Sequence, residues 1–346
     1  MKKPLLALVM LLVFLVPAGS QQRAYWPTRD WRTSSPGKQG MDGSLLVKAL
    51  DVARRQNADL HSVLVIRHGF IVMERYFPPW TISSPHELYS CTKSFVSTLA
   101  GIAAGKGGFP KLTEPILGLI PGLRPADFDR KKRAITLENM LTMSSGLGWV
   151  EADETYRAMY IAGRSDWAKF VLDLPMVEEP GKRFNYSSGG SHIIVLIIQA
   201  ATGMDLARFA QQELFDPLGI RQPAWDRSPA GDPIGGWGLR LTPRDMAKLS
   251  YLFLNGGTWD GQQLVPADWV RTATAKHIDA APGWSYGYLW WVDTQVPLFA
   301  ALGRYGQAIY IIPSHDLVVV FTARMDDNAL EMRLVKEYIV PACGTP

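Results

Sequence analysis

The stretch LYSCTKSF, residues 88–95, places a hydroxyl and an amine three positions apart, at Ser90 and Lys93. On a helix, residues three apart share one face, with their Cβ atoms about 5–6 Å from each other. A serine hydroxyl needs a neighbouring base before it can attack a carbonyl carbon, and a neutral lysine can be that base. If a helix begins here, the stretch predicts a nucleophile beside its base.

The surroundings of Lys93 favour loss of its proton. A free lysine has a pKa near 10.4, and burial lowers that value because the charged form loses its hydration. The run FVSTLAGIAA, residues 95–104, is mostly apolar and can supply such burial. The other interpretation stays open at this point: Ser90 as a helix N-terminal hydroxyl, with Lys93 in solvent.

The same spacing occurs a second time, at Ser35 and Lys38. The two residues between them are proline and glycine, which interrupt a helix. We therefore do not expect these two side chains to converge.

The composition limits the classes of function. With 346 residues, of which 47% are apolar, the chain can bury a large core. Without residues 1–20 it keeps 34 basic and 32 acidic residues, a balance that predicts no nucleic acid partner. The two cysteines, Cys91 and Cys343, allow at most one disulfide. The six histidines are not spaced like metal ligands, as they would be in a motif such as H-E-x-x-H. We expect no metal and no cofactor.

The N-terminus has the pattern of a secretory signal peptide over residues 1–20. Two lysines precede an apolar run at residues 5–16, and Pro-Ala-Gly-Ser follows it. About 12 apolar residues are too few for a bilayer, which needs about 20, although an uncleaved anchor is the alternative. We predict an exported protein, periplasmic or extracellular, with no membrane span after signal removal.

The order of patterns along the chain predicts an α+β fold. Residues 21–40 are polar and rich in turn formers, and are predicted to be an N-terminal extension. Strand patterns occur near both ends, at residues 62–67, 70–77, 288–292, 308–312 and 317–323. Helical patterns occupy residues 44–55, most of 94–280, and 328–339. We expect one antiparallel sheet from residues 41–90 and 281–342, flanked by helices, with a mostly helical part at about 91–280.

Two further motifs could contribute to a site in the cleft between these parts. In RFNYSSGG, residues 183–190, Tyr186 could carry a proton between a nucleophile and a leaving group, although aromatic packing is the alternative. In GRYGQ, residues 303–307, glycines allow a close backbone approach. Backbone N–H groups of Ser90 and Arg304 could then form an oxyanion hole, unless the glycines only make a turn.

These motifs resemble, in order, those of the serine β-lactamase and penicillin-binding-protein superfamily, in its esterase-like and 6-aminohexanoate-dimer-hydrolase-like branch. The resemblance covers roughly residues 41–340. The matching segments are Ser90-x-x-Lys93-Ser94, LTMSSGL (141–147), FNYS (184–187), PLGI (217–220), GWGL (236–239), DMA (245–247) and Gly306-Gln307.

The resemblance implies a β-lactamase/transpeptidase-like fold, with a catalytic domain over residues 41–342. It implies that Ser90 is the acylated nucleophile, Lys93 its base and Tyr186 the second proton-transfer group. Ser188 and Gly303 match substrate-binding positions of the superfamily. Aromatic residues near the predicted cleft are candidates for the acyl pocket: Trp149, Tyr156, Trp237 and Tyr286.

Two departures from the superfamily pattern affect the expected substrate. Ser188 stands where Asn is common, and Ala301-Leu302-Gly303 lacks the cation that usually opens the third motif. That cation helps to bind a substrate carboxylate. We therefore expect an ester or an uncharged amide rather than a β-lactam or a D-alanyl peptide, with Arg304 as a candidate replacement for the cation.

Two rival hypotheses remain. GWSYG, residues 283–287, matches a nucleophile elbow at Ser285, with Asp293 and His315 in the required order. An elbow needs a strand before the serine and a helix after it, whereas here a turn precedes and an aromatic strand pattern follows. The other rival is a binding protein that keeps the fold without turnover, and retention of Ser90, Lys93 and Tyr186 argues against it. The sequence thus predicts a serine hydrolase acting on a small ester or amide.

Overall fold

The computed structural model describes residues 23, 25–127, 129–151, 158–159 and 166–344. The predicted signal peptide and Tyr156 lie outside the described residues. The described part of the predicted N-terminal extension packs on the fold. Arg23 forms an ion pair with Asp316 at 2.6 Å, and Trp31 is buried.

Most of the α-helices lie in the middle of the chain, and the longer strands lie near its two ends. Their bounds are β1 (Leu60–Arg67), β2 (Phe70–Tyr76), β3 (His86–Glu87), β4 (Ala224–Trp225), β5 (Leu239–Leu241), β6 (Thr258–Trp259), β7 (Gln262–Gln263), β8 (Ile278–Ala281), β9 (Trp284–Tyr286), β10 (Trp291–Asp293), β11 (Phe299–Gly303), β12 (Gln307–Ile312) and β13 (Leu317–Ala323).

The main sheet has eight antiparallel strands in the order β2-β1-β13-β12-β11-β10-β9-β8. It joins the two ends of the chain, because β1 pairs with β13, placing Val63 opposite Phe321 and Val65 opposite Val319. Strands β3, β5 and β4 form a small second sheet, and β6 and β7 pair with each other. The predicted α+β fold with one antiparallel sheet is confirmed.

The helices cover both faces of this sheet. Their bounds are α1 (Gly43–Arg55), α2 (Thr92–Lys106), α3 (Arg130–Arg133), α4 (Leu137–Leu141), α5 (Trp167–Asp173), α6 (Ser188–Thr202), α7 (Leu206–Ala210), α8 (Asp216–Leu218), α9 (Pro243–Leu254), α10 (Ala267–Ala273) and α11 (Ala329–Leu334). In the described part of the chain, no single helix has the length and hydropathy to cross a membrane.

The central strands carry nearly continuous apolar runs because both of their faces are covered. All seven residues of β13 are buried, and so are the first seven of β1. A strand that is solvated on one face would alternate polar and apolar residues instead. One face packs on α1 and the C-terminal helices, and the other on the helical part of the protein.

Two buried helices form the centre of the helical part. Helix α2 is buried from Thr92 to Ala103, and α6 from Ser188 to Val195. Ser187 caps α6, since its hydroxyl accepts a hydrogen bond from the Gly190 N–H at 2.9 Å. The start of each helix thereby lies at the junction between the sheet and the helical part.

The strand predicted at residues 288–292 is displaced. The observed strand β10 begins only at Trp291, because Leu289 has a positive φ of 60° and breaks the extended backbone. The Leu289 N–H donates instead to the Leu141 carbonyl at 3.0 Å. The short strands β8, β9 and β11 were not predicted.

We expect Leu64→Ala to lower the free energy of unfolding by about 2–5 kcal/mol, because it leaves a cavity in the centre of β1. Leu64 is fully buried against the helical part. Val47→Ala on α1, where the side chain is 58% exposed, is the matched control and should change it by about 0.5 kcal/mol or less. Urea unfolding measures both, and equal effects would contradict the placement of β1.

Candidate active site

Ser90 lies in a short 3-10 turn, Tyr89–Cys91, that leads directly into α2. Tyr89 has a φ of 46°, a left-handed conformation that is strained for a tyrosine. The Cys91 thiol points the other way and donates to the Ala301 and Gln307 carbonyls at 3.3 and 3.4 Å. Burial raises the pKa of that thiol, so it acts as a packing group that holds the turn on the sheet.

Lys93 is buried, and its Nζ has three hydrogen-bond acceptors. These are Ser90 Oγ at 2.9 Å, Ser188 Oγ at 3.0 Å and the Gly236 carbonyl at 2.8 Å. Burial lowers the pKa of Lys93 to about 8, although the Glu151 carboxylate acts in the opposite direction. A substantial fraction is therefore neutral near that pH, and the alternative of a solvated lysine is wrong.

Tyr186 closes the other side of the Ser90 hydroxyl. Its ring lies 4.7 Å from Lys93 Nζ. Burial raises the pKa of Tyr186, even though a side-chain hydrogen bond with Ser90 acts to lower it. The phenol consequently keeps its proton near neutral pH and is a donor rather than a base.

Ser188 connects this group to a carboxylate that the sequence did not identify. The Ser188 hydroxyl and N–H both donate to Glu151, at 2.5 and 2.9 Å, and the Trp149 indole N–H donates to the same carboxylate at 2.6 Å. A continuous chain of hydrogen bonds thus runs from Glu151 through Ser188 and Lys93 to Ser90. Trp149, predicted to line the acyl pocket, is almost fully buried and instead holds this carboxylate.

The end of β11 lies against the turn that carries Ser90. A Cβ atom at Gly303 would be 2.3 Å from the Leu88 carbonyl and 3.3 Å from the Cys91 nitrogen, so only glycine allows this approach. Arg304 follows at the start of the turn Arg304–Gly306, with its guanidinium 4.8 Å from the centre of the Tyr305 ring. The two predicted oxyanion-hole residues therefore lie on adjacent segments.

Aromatic rings form a wall beside Tyr186. Tyr286 lies at 6.2 Å from it and Trp291 at 5.7 Å, measured between ring centres, and Phe184 lies at 6.3 Å. Tyr286 was predicted from the sequence, whereas Phe184 and Trp291 were not. Trp237, the other predicted aromatic residue, packs on Trp167 at 5.7 Å. Substrate at Ser90 would meet a largely apolar surface on this side.

Comparison with known proteins shows the family and the fold of this chain. The Beta-lactamase family model matches residues 52–341. The chain belongs to the β-lactamase family. A penicillin-binding-protein homologue of Pyrococcus abyssi, octameric in its solved structure, has the same fold, with a TM-score of 0.69 at 18% identity over 86% of this chain and 77% of its own. The resemblance to the serine β-lactamase and penicillin-binding-protein superfamily is confirmed.

Two curated members of the superfamily are similar in sequence. The 6-aminohexanoate-dimer hydrolase of Paenarthrobacter ureafaciens is 23% identical, over 74% of this chain and 70% of its own length. The esterase EstB of Burkholderia gladioli is 27% identical, over 52% of each chain. The chain thus spans about half the length of this esterase.

The rival site in this β-lactamase family member is not assembled. Ser285 lies within strand β9, fully buried, with its hydroxyl 3.4 Å from Asp279. Asp293 pairs with Lys336 at 2.6 Å, and the His315 ring contacts the Ser314 hydroxyl at 3.0 Å. The next element after β9 is strand β10 and not a helix, so the nucleophile-elbow hypothesis is wrong. Within the described residues, no group of three or more His, Cys, Asp or Glu could hold a metal ion.

We expect Glu151→Gln to move the pH midpoint of activity to a lower value, by a fraction of a pH unit. The Glu151 carboxylate raises the pKa of Lys93, so an amide in its place removes that effect. Asp268→Asn, at a carboxylate whose side chain is 84% exposed, is the control and should leave the midpoint where it is. Rate against pH with a chromogenic ester measures both, and an unchanged Glu151→Gln midpoint would contradict the coupling.

Proposed function

We propose that this protein is a serine hydrolase that cleaves a small ester or amide through a covalent acyl-enzyme on Ser90. The observation that carries the proposal is the hydrogen bond of 2.9 Å between Lys93 Nζ and Ser90 Oγ, made by a lysine whose burial lowers its pKa to about 8. A base with a pKa near the working pH is efficient in proton transfer.

In the first half of the proposed reaction, Ser90 Oγ attacks the carbonyl carbon while neutral Lys93 accepts its proton. The backbone N–H groups of Ser90 and Arg304 bind the oxygen of the tetrahedral intermediate, an interaction worth a few kcal/mol of barrier. The Tyr186 phenol donates its proton to the departing oxygen or nitrogen and is reprotonated from Lys93. The products of this half are an alcohol or amine and an ester on Ser90.

In the second half, water replaces the leaving group. Lys93, neutral again, accepts a proton from the water as it attacks the acyl carbon through the same oxyanion hole. The carboxylic acid departs when the Ser90 oxygen takes a proton back from Lys93. Lys93 accepts one proton and returns one proton in each half, so one lysine is sufficient for both.

The charges around Ser90 favour an uncharged substrate. The residues before Gly303 are Ala301 and Leu302, so the third motif offers no cation. On the other side, the Glu151 carboxylate accepts two hydrogen bonds from Ser188, the neighbour of Lys93. A negative charge at this position repels a substrate carboxylate. A carboxylesterase or an amide hydrolase is therefore proposed, in keeping with the names of the two curated relatives.

Hydrolysis of a β-lactam or a D-alanyl peptide is the second candidate. Arg304 favours it, because its guanidinium is exposed directly after Gly303 and can pair with a carboxylate. The Glu151 charge and the aromatic wall favour the first candidate. Both candidate functions have a small-molecule substrate. Basic and acidic residues are nearly equal in number, so no nucleic acid partner is proposed. Export of the protein, with residues 1–20 as its signal, is proposed from the sequence.

We expect Ser90→Ala to lower the hydrolysis of p-nitrophenyl butyrate at least about 10³-fold, because it removes the nucleophile. Ser285→Ala is the matched control, since it removes a hydroxyl from the rejected elbow, and it should keep most of the activity. Intact-mass spectrometry should show the butyryl adduct on the wild-type protein and not on Ser90→Ala. Activity that survives Ser90→Ala would contradict the proposal. So would a wild-type protein that does not hydrolyse this ester, an amide or a cephalosporin.

The rate of Ser90 acylation should rise with pH through about 8, because only the neutral form of Lys93 accepts the serine proton. Below that pH the buried ammonium predominates and the rate falls about tenfold for each pH unit. Burst kinetics between pH 6 and 9 measure this limb. A rate that is constant over the range would show that Lys93 is not the base.

A further inference from the structure

The turn Arg304–Gly306 needs support from the protein interior. It carries the Arg304 N–H that is proposed to bind the oxyanion, and two of its residues have left-handed backbone, Tyr305 with a φ of 63° and Gly306 with a φ of 81°. A tyrosine in this conformation is strained and persists only when its surroundings fix it. The Tyr305 carbonyl is held from one side, where it accepts the Met325 N–H at 3.1 Å.

The other side of the turn rests on a buried carboxyl group. Glu331, in the first turn of α11, is fully buried, and a Cβ atom at Gly306 would lie only 2.4 Å from its Oε1. The Glu331 carboxyl thus occupies the place that a side chain at position 306 would need. Neither oxygen of Glu331 has a hydrogen-bond partner in another of the described residues, and none of the ion pairs found there involves it.

The neighbouring groups favour the protonated form of this carboxyl. The Tyr310 hydroxyl on β12 and Gln307 Oε1 are also buried without a partner. An ionised carboxylate in such a place loses its hydration without compensation. Burial raises the pKa of Glu331 to about 7. A hydrogen bond from its own backbone N–H acts to lower it, and the Asp327 carboxylate adds to the rise.

Among the described residues, no charged or titratable group near Glu331 pairs with its carboxyl as a cation. Asp327 stands at the start of the same segment, and Tyr310 faces it from the sheet, its own pKa raised by burial and by Glu331. Asp293, which also acts on Tyr310, is already paired with Lys336 at 2.6 Å. The Arg333 Nε atom is buried without a partner, but it forms no ion pair with Glu331.

We propose that Glu331 is a positioning residue for the oxyanion hole: its neutral carboxyl supports Gly306 from below and keeps the Arg304 N–H directed towards Ser90. Ionisation of this group draws water or a cation to it and displaces the turn. The inference rests on the proposed serine hydrolase, because it gives the turn Arg304–Gly306 a role in that reaction. Glu331 itself touches no substrate.

The test is Glu331→Gln, which keeps the shape of the side chain and cannot ionise. In wild type, ionisation of Glu331 above pH 7 should make kcat rise with pH less steeply than Lys93 alone would allow. In the variant only the rise through Lys93 remains, so the ratio of kcat at pH 9 to kcat at pH 7 should increase about threefold or more. KM should change less than kcat, because the turn acts on the intermediate. Glu337→Gln, an exposed carboxylate of the same C-terminal segment, should behave as wild type.

A second measurement does not depend on activity. The folded state holds the Glu331 proton up to about pH 7, whereas an unfolded chain releases it near 4.5. Stability from this group is therefore present below pH 4.5 and lost as the pH rises to about 7. Wild type should lose thermal stability relative to Glu331→Gln between pH 4.5 and pH 8.

The outcomes separate the two proposals. If the ratio of kcat at pH 9 to kcat at pH 7 is the same in Glu331→Gln as in wild type, the role of Glu331 is overturned. A difference in melting temperature between the two proteins that does not change with pH also overturns it. In both cases the dependence of activity on Ser90 is unaffected. Activity that survives Ser90→Ala overturns the hydrolase mechanism, and the melting curves still report whether Glu331 is buried in its neutral form.

Discussion

Burial of the Lys93 amine is the constraint on which the rest of the site depends. A buried cation is tolerated only when its donors are satisfied, and here the acceptors come from three separate segments: Ser90 before α2, Ser188 at the start of α6, and the carbonyl of Gly236. The fold must therefore bring a turn, a helix start and a loop to one point. The same burial that requires this convergence also gives the lysine its depressed pKa.

The sheet contributes to the site by its rigidity. Strand β11 approaches the Ser90 turn so closely that glycine is required at position 303, and the Cys91 thiol ties the turn to the carbonyls of Ala301 and Gln307. A change in this contact would move the Ser90 hydroxyl relative to Arg304. A small buried thiol suits the position, since a larger side chain would separate the turn from the strands.

The sequence predicted that Ser90, Lys93 and Tyr186 lie together, because local spacing joins the first two and an ordered motif marks the third. It also gave the outline of the sheet, from apolar runs at both ends of the chain. Glu151 escaped notice because its contact with Ser188 joins residues 37 positions apart, and no local pattern marks it. Strands β8, β9 and β11 have three to five residues each, too few to show a period. The strand predicted at residues 288–292 begins only at Trp291, because Leu289 is left-handed.

The pairing of β1 with β13 has a consequence for how the protein acquires its activity. The two strands are separated by about 250 residues of chain, and the entire helical part lies between them. Contacts so distant in sequence slow folding, because a long loop must close to form them. Until the last strands dock, the turn with Ser90 has no β11 beside it. The contact between the Ser90 turn and β11 therefore needs the C-terminal part of the chain, and a partly synthesised chain lacks it.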